Sequence, residues 1–426
     1  MAVYDRWHTR EPRLDANGQA VSRCREHKLN PSKDHGQGDR WQVRWRDEDG
    51  KQCKLNRPRR GGKRDDTDPD IYAEALDAKI TSELNTDTHV SPANGKITFR
   101  SYADQWLAAQ TFDESSRETA EQRLRLHAYP TLGDLELRAI AKRPSIIQAW
   151  LRDRKTSANH VRAVFDHVST VLTAAVDDGL ISRNPCQTSS VRPPKAERKK
   201  IDPWSVEQAD LVAKKINQRF AALVAVGARL GLRQGEAFGL AVDDIDMNEA
   251  VVHVRRQVKI LGGFRLVFAL PKGGKIREVP LPGSLARIVE AHMEQYPPIT
   301  VTLPWKIPDG EAITTRLVFT TRQRNAINRN DWNWQVWKSA LRAAGVDPTR
   351  ENGFHALRHH FASVLLTKGV DIRALAEYLG HSDPGFTLRT YTHLMPSSNE
   401  RMRLAVDEAW SVISEGSALD VPPEEK

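Results

Sequence analysis

The sequence of 426 residues contains very little cysteine. Its three cysteines, Cys24, Cys53 and Cys186, are odd in number and widely separated. A disulfide framework needs cysteines in pairs, and the common structural zinc sites contain paired cysteines at close spacing. The cysteine content therefore argues against a disulfide-rich fold, redox chemistry and structural zinc, and we expect no metal and no cofactor.

Long hydrophobic runs are also missing. The longest apolar stretch, residues 220–228, is far shorter than the roughly 20 residues that a membrane-spanning helix needs. Residues 1–13 are charged and lack the apolar region of a secretory signal. We therefore expect a cytosolic protein with no membrane partner.

Positive charge is what the sequence has in excess. It holds 64 Lys and Arg residues against 55 Asp and Glu residues, a net charge of +9. The first 64 residues alone contain 17 basic and 9 acidic residues, a local net charge of +8. Such an imbalance favours a polyanionic partner, and nucleic acid is the most common one. The hydrophobic fraction of 39% is typical of a folded globular protein.

The length suggests about three domains, and the residue patterns support this number. Residues 40–46 alternate with the period of a strand, residues 47–50 form a turn signal and residues 51–56 return as a second strand. Residues 69–84 then have helical spacing, and helical periodicity also runs from 97 to about 186.

We predict a multidomain α+β protein. It comprises a small domain with a β-hairpin and a helix, an all-helical domain, and a mainly helical domain with a small β-sheet. The predicted boundaries are residues 1–95, 96–187, a basic proline-containing linker at 188–202, residues 203–413, and an acidic tail at 414–426. Residues 1–39 have no clear period and are expected to form an irregular arm, to which we assign no function.

The third domain contains a first chemical motif in residues 228–240. A helix ends at Gly231, and a second one begins near Arg233. An arginine at a helix start is well placed to bind a phosphate, and Glu236 can orient its guanidinium. The alternative is an ordinary surface ion pair one helical turn apart.

A second motif lies in the predicted β segment, residues 251–281. Gly262 and Gly263 mark one turn, and residues 271–280 predict a further hairpin with Lys272 and Lys275 on either side of its glycine tip. A lysine at such a tip can reach a phosphate ester in a DNA groove. A lysine in a turn is otherwise simply solvated.

Two histidine-containing motifs follow. His355 and Arg358 are neighbours near the start of one predicted helix, a pairing that suits proton transfer at a bound phosphate. The pattern is not HExxH, which argues against a zinc protease. A second helix is delimited by Asp371 and Gly380, and His381 and Tyr391 come after it.

Taken together, the segments LGLRQGE, PKGG–R–VPL, HALRH, LGHSD and TLRTYTHL resemble the tyrosine recombinase, or phage integrase, family. The resemblance implies the following roles: Arg233 and Arg358 bind the scissile phosphate, Lys272 assists the leaving group, His355 is the general base, His381 steadies the phosphate, and Tyr391 is the nucleophile. Ala356 and His360 depart from residues common in the family but flank the implied active residues without replacing them.

The resemblance implies an integrase that cuts and rejoins duplex DNA. In that case residues 1–95 bind arm sites, and the helical and catalytic domains bind the core site. Expected partners are double-stranded DNA, three further copies of the chain in a tetramer, and accessory bending or excision factors. A catalytically idle DNA-binding relative and a type IB topoisomerase are the alternatives. A carboxy-terminal amphipathic helix at residues 402–413 is expected to dock either on a neighbouring protomer or on its own domain.

Overall fold

The computed structural model describes residues 2–46, 50, 52–85, 95–197, 200–392, 403 and 406–407. The chain divides into two compact units between residues 197 and 198. Both contain helices, and small antiparallel sheets occur throughout, which confirms the predicted α+β class. No described helix is both long enough and apolar enough to cross a membrane.

The first unit begins with a small sheet and a helix. Its strands are β1 (Ala2–Asp5), β2 (His8–Thr9), β3 (Asn30–Pro31), β4 (Trp41–Arg46) and β5 (Gln52–Arg57). The predicted hairpin is confirmed, because β4 and β5 pair antiparallel. Val43 and Trp45 are buried beneath α1 (Ala73–Asn85), where they meet Leu76 and Ile80. The strand period thus separates an apolar inner face from a basic outer face.

The prediction of an irregular arm at residues 1–39 is wrong in part. Strand β1 pairs antiparallel with β4 and extends the sheet to three strands. Strands β2 and β3 form a second, two-stranded pair. Only four residues alternate in β1, too few to reveal a period in the sequence.

The rest of the first unit is helical, as predicted. Its helices are α2 (Phe99–Ala109), α3 (Glu114–Arg123), α4 (Tyr129–Leu132), α5 (Leu137–Lys142), α6 (Ser145–Arg152) and α7 (Ala158–Asp177), with a π-helical segment, Leu124–Ala128, between α3 and α4. The Ser157 side chain caps α7 by accepting a hydrogen bond from the backbone N–H of His160. Buried residues recur along α7 every three or four positions, so one face enters the core.

The start of the expected linker packs on this helical part. Val191 is buried in its core, and the Asn159 side chain holds Glu197 by donating to its carbonyl (3.0 Å) and accepting from its N–H (2.9 Å). Two prolines and a basic composition exclude regular structure, but they do not exclude packing by a single apolar residue.

The second unit contains nine described helices and seven strands. The helices are α8 (Val206–Lys215), α9 (Ala221–Leu230), α10 (Gln234–Phe238), α11 (Gly283–Gln295), α12 (Arg329–Trp332), α13 (Lys338–Ala343), α14 (His355–Thr367), α15 (Ile372–Leu379) and α16 (Pro384–Tyr391). The strands are β6 (Ile245–Asp246), β7 (Val251–Val254), β8 (Gln257–Leu261), β9 (Arg265–Ala269), β10 (Arg277–Pro280), β11 (Ile299–Pro304) and β12 (Ala312–Leu317). Helix α9 is buried almost all round and forms the centre of the main core.

The predicted hairpin at residues 271–280 does not form. Strands β8 and β9 do pair around Gly262 and Gly263, but β10 pairs antiparallel with β7. This register places Val279 opposite Val252 in the buried core, an apolar contact that outweighs the local turn signal. Residues 271–276 are therefore a crossover loop between two sheets.

The predicted carboxy-terminal helix and acidic tail lie outside the described residues, apart from positions 403, 406 and 407. Their docking partner stays a prediction.

Gly231 is the glycine on which the packing of α9 depends most. It ends the helix in the left-handed conformation, with φ of 62°, and a Cβ there would overlap the Phe361 ring. We predict that Gly231→Ala lowers the free energy of unfolding by about 2–4 kcal/mol, from strain and overpacking together. Gly345 is the matched control, since its φ is 70° and nothing lies within 4 Å of a Cβ there. Urea denaturation should show a loss of only about 1 kcal/mol for Gly345→Ala; equal losses would contradict the predicted overlap.

Candidate active site

The candidate site is built at the carboxy-terminal ends of two helices. Helices α9 and α15 both end in a left-handed glycine, Gly231 and Gly380, each with φ of 62°. Such an ending leaves backbone carbonyls that no longer have a partner within the helix. The same end carries the negative pole of the helix dipole, so both factors favour a cation there.

Three arginines occupy these helix ends. Arg358 donates to the carbonyl of Gly231 (2.8 Å) and to that of Leu379. Arg233 donates to the Gly380 carbonyl (3.2 Å). Arg277 donates from Nε to the carbonyl of Tyr378 (2.7 Å).

One buried carboxylate joins two of the arginines. The Glu236 side chain is fully buried and accepts from Arg233 Nη1 (2.9 Å) and from both terminal nitrogens of Arg277 (3.1 and 2.7 Å). Burial alone would raise the pKa of Glu236, but the hydrogen bonds and charge of Arg277, with the charge of Arg233, lower it to about 2. The surface-pair alternative for Arg233 and Glu236 is therefore excluded.

The site keeps a positive charge after this pairing. Three guanidinium groups against one carboxylate leave a net charge of +2. Arg358 is 1% exposed, and burial followed by the charge of Arg233 lowers its pKa to about 9, so it stays protonated at neutral pH. Buried positive charge with little water around it is what stabilises a phosphate dianion or a pentavalent phosphorus.

His381 completes the arginine cluster. Its Nε2 lies 3.0 Å from Arg358 Nη2, and its Nδ1 lies 2.6 Å from Thr387 Oγ1. A guanidinium can only donate, so Nε2 accepts and the proton is on Nδ1, which donates to Thr387. Burial, then the positive charges of Arg358 and Arg233, lower the pKa of His381 to about 4, which is consistent with a neutral ring.

Tyr391, the last residue of α16, lies beside the histidines of α14. Its hydroxyl oxygen is 2.8 Å from His359 Nδ1, and the residue is only 2% exposed. Burial raises the pKa of Tyr391 to about 12 and the charge of Arg358 opposes that rise. The phenol therefore keeps its proton. Burial and the charge of Arg358 lower the pKa of His359 to about 4, so the His359 ring is neutral, and its Nδ1 can accept a hydrogen bond from the phenol when the ring proton is on Nε2.

His355 lies one helical turn before His359. The two rings meet edge to face, with centroids 4.7 Å apart. His355 keeps an exposed surface at the start of α14, yet desolvation by the surrounding protein, together with His359 and the nearby arginines, lowers its pKa to about 3. Among the described residues, no hydrogen bond joins His355 to Tyr391.

Lys272 is the one predicted site residue that the structure leaves apart from the cluster. It lies in an exposed turn, Lys272–Gly274, and no hydrogen bond or ion pair within the described part of the chain connects it to the arginines. Lys275, three residues on, lines a groove of about 610 Å³ together with Arg277, Gly380 and His381.

Five of the six predicted residues thus share one environment: Arg233, His355, Arg358, His381 and Tyr391. Sequence reasoning missed two others, His359 and Arg277. His359 could have been found from its position one turn after His355, on the same helix face. Arg277 lies within the PKGG–R–VPL segment that carries the resemblance, but its contact with Glu236 depends on the pairing of β10 with β7 and is not visible in the sequence.

Two protein-family models match the chain. The model of the phage integrase family matches residues 206–397, and that of the phage integrase central domain matches residues 99–190. Every residue of the cluster falls within the first match.

Similar individual proteins agree with these models. A tyrosine recombinase XerC-like protein of Caldanaerobacter subterraneus is 30% identical over 258 residues, which cover 56% of this chain and 63% of that protein, less than two thirds of its length. The integrase of Mycobacterium phage L5 is 24% identical, covering 76% of this chain and 82% of its own. The fold resembles that of the Tn1549 transposon integrase in complex with a circular intermediate DNA, with a TM-score of 0.60, 19% identity, and coverage of 72% of this chain and 99% of that one.

The buried carboxylate gives the protein a specific response to acid. Because the folded-state pKa of Glu236 is about 2, below its ordinary value of 4.5, the carboxylate contributes stability that is fully present above pH 4.5. This stability, about 3 kcal/mol, is lost as the pH falls toward 2.

We therefore predict that Glu236→Gln is less stable than the parent at pH 7 and that the difference shrinks between pH 5 and pH 2. Urea denaturation at several pH values measures it. Glu278→Gln is the control, because this glutamate on β10 is exposed. A stability difference between parent and Glu236→Gln that does not change with pH would contradict the buried ionised carboxylate.

Proposed function

Because the chain belongs to the phage integrase family of tyrosine recombinases, we propose that it cuts and rejoins duplex DNA at specific sites through a 3′-phosphotyrosyl intermediate at Tyr391, integrating or excising a mobile element. The observation that carries this proposal is the Tyr391 phenol beside a buried arginine cluster of net charge +2. A phosphodiester fits both features, because the phenol oxygen can attack its phosphorus and its anionic oxygens can accept hydrogen bonds from the arginines.

The proposed reaction begins with attack of the Tyr391 oxygen on the scissile phosphorus. A new P–O bond to tyrosine forms, and the bond to the 5′-oxygen breaks. The nonbridging oxygens gain negative charge in the transition state, where Arg233 and Arg358 donate to them. Three of the five N–H donors of Arg358 have partners in the described structure, so two remain for the phosphate.

The intermediate conserves the energy of the phosphate ester. A 5′-hydroxyl from a second duplex can therefore attack the phosphotyrosine and restore a phosphodiester without an external energy source. Since Tyr391 is 2% exposed, DNA binding has to uncover its oxygen before attack. The buried position protects the nucleophile until the substrate is in place.

A direct test uses a suicide duplex spanning the junction between the mobile element and its flanking DNA, with a nick just 3′ of the scissile phosphate that lets the short fragment carrying the new 5′-hydroxyl diffuse away. The parent should form a covalent adduct that survives denaturation, and Tyr391→Phe should bind the duplex equally but form none. Tyr378→Phe is the control, because this tyrosine lies on α15 near the same groove. An adduct in Tyr391→Phe would show that the nucleophile is another residue. Binding without any adduct in the parent would favour the idle DNA-binding alternative.

The proton of Tyr391 has two candidate acceptors. The resemblance implies His355, but the hydrogen bond of 2.8 Å favours His359 at the phenol. We propose that His359 receives the proton. His355, the more exposed of the two histidines, would face the bound DNA.

Single-turnover cleavage distinguishes the two histidines. His359→Ala should slow adduct formation by about 10²- to 10⁴-fold, the range of a lost general base, and His355→Ala should slow it less. A larger decrease in the rate of adduct formation for His355→Ala than for His359→Ala would identify His355 as the general base. Circular dichroism of both variants controls for loss of the fold.

The leaving 5′-oxygen needs a proton, and we keep Lys272 as its donor. A lysine ammonium carries a proton that it can donate to the oxygen as the bond to phosphorus breaks. Lys275 is the alternative donor, because it lines the groove next to Arg277 and His381.

Replacing the bridging 5′-oxygen with sulfur separates the two lysines. A thiolate leaves without a proton, since thiols have pKa values near 8.5. The sulfur substrate should restore cleavage by Lys272→Ala and should not restore cleavage by Arg233→Ala, whose defect is charge stabilisation. If the sulfur substrate restored cleavage by Lys275→Ala instead, Lys275 would be the proton donor.

We further propose the domain roles that accompany this chemistry. Residues 1–95 bind arm sites, residues 96–187 and 203–413 bind the core site, and residues 188–202 link them. Arg44 and Lys54 support the first role: they lie directly opposite on the exposed face of β4 and β5, where like charges are unfavourable without an anion. A tetramer on paired sites, with accessory factors, would complete the reaction in the cytoplasm.

A further inference from the structure

Four side chains of metal-ligand type meet in the first unit, far along the chain from the candidate active site. They are His8 on β2, Cys24 and His27 in the segment that leads to β3, and His35 after β3. Each offers one ligand atom, and these four atoms all lie within 4.8 Å of one another. Three segments of the chain are thus brought close together, namely strand β2 and the stretches before and after β3.

The geometry within the cluster fits a tetrahedral ion. Cys24 Sγ lies 3.5 Å from His27 Nδ1. A sulfur ligand at about 2.3 Å and a nitrogen ligand at about 2.0 Å from a tetrahedral zinc ion are also about 3.5 Å apart. The His8 ring lies edge-on to the rings of His27 and His35, with centroids 5.0 and 5.1 Å away. Rings around a shared ion point inward in this way rather than stacking.

Two of the histidines present buried nitrogens that lack a protein partner. Nε2 of His8 and Nε2 of His35 have no hydrogen-bond partner among the described residues. A buried polar atom without a partner is unfavourable, and such atoms are rare in folded proteins. A metal ion bound to both nitrogens would account for them.

A carboxylate behind His8 fixes the orientation that a ligand needs. His8 Nδ1 donates to Asp5 Oδ2 (2.9 Å), which leaves the lone pair of Nε2 directed into the cluster. Arg40 holds the same carboxylate from Nη2 (2.7 Å) and Nε (3.1 Å). Histidines that bind zinc usually donate their other ring N–H to a carboxylate, which fixes the orientation of the ring in this way.

We propose that His8, Cys24, His27 and His35 bind one Zn²⁺ ion as a structural site. One thiolate and three imidazoles suit zinc in softness, and four protein ligands leave no open position for a substrate. On binding, the Cys24 thiol loses its proton to solvent and its sulfur bonds to the metal.

The ion would join three parts of the segment between β1 and β4, and Asp5 at the end of β1 connects that segment to the three-stranded sheet through its hydrogen bond with His8. The same segment forms one wall of a groove of about 450 Å³, in which Trp7 and His27 face Arg40, Arg59 and Arg60. Zinc would therefore fix the shape of a basic groove in the part of the chain with the highest positive charge. The site is independent of the reaction proposed for Tyr391, because none of its ligands is near that residue in the sequence or belongs to the same unit.

This proposal differs from the expectation of no metal, which considered paired cysteines and the HExxH pattern. The four ligands are spread over 28 positions, and only Cys24 and His27 are close in the sequence, three residues apart. The pairing of β1 with β4 and of β2 with β3 accompanies their approach to His8 and His35.

Metal analysis of the full chain tests the proposal. Protein purified under reducing conditions and dialysed against zinc-free buffer should retain about one zinc per chain by mass spectrometry of the elements. Cys24→Ser should lose most of this zinc, and Cys53→Ser, which changes a cysteine on β5 outside the cluster, should retain it.

Cobalt substitution gives a spectroscopic readout of the site in the parent chain as well as in the variants. Replacement of zinc by Co²⁺ in the parent chain should give the intense visible bands of a tetrahedral site and a near-ultraviolet thiolate-to-cobalt band. Cys53→Ser should keep the thiolate band, and Cys24→Ser should lose it. Absence of bound zinc in the parent, or equal zinc and an unchanged thiolate band in Cys24→Ser, would overturn the site. If Cys24→Ser does not fold, the absence of the cobalt bands in the parent alone would suffice to overturn it.

Discussion

The buried carboxylate of Glu236 is the interaction on which the site depends. It lets two guanidinium groups, those of Arg233 and Arg277, lie side by side in the protein interior, where their mutual repulsion would otherwise be severe. The two left-handed helix ends at Gly231 and Gly380 then supply carbonyls that hold Arg233 and Arg358. The protein thus assembles a concentrated positive charge before any phosphate arrives, at the expense of desolvation that only well-placed acceptors can offset.

The charge cluster also sets the protonation of the groups around it. Burial and the arginines keep the nearby histidines neutral, so His381 accepts from Arg358 and His359 can accept from Tyr391. Burial keeps the Tyr391 phenol protonated, which leaves it a poor nucleophile until its proton is removed. In the proposed reaction, a bound phosphate would offset the positive charge and so raise the pKa of these histidines, which makes them better acceptors of the phenol's proton.

Local sequence signals predicted the parts of this site that local structure controls. Helix ends at Gly231 and Gly380, the cap at Asp371 and the position of Arg233 at the start of α10 follow from short-range preferences, and the structure has them all. The roles of Arg277 and of the turn at Lys272 could not be predicted, because they depend on β10 crossing to β7 rather than returning along β9. The hairpin of β11 and β12 was missed as well, since its prolines weaken the strand signal. For the histidine and cysteine cluster of the first unit, the only local signal is the three-residue spacing of Cys24 and His27, which does not reveal His8 or His35.

The most direct measurement of the central claim is identification of the atom that links protein to DNA. The covalent adduct formed on a suicide duplex would be digested with a protease and the DNA-bearing peptide sequenced by tandem mass spectrometry. The account predicts a single modified residue, Tyr391, joined to a 3′-phosphate. Linkage to Tyr378 or to any other residue, or attachment to a 5′-phosphate, would contradict it.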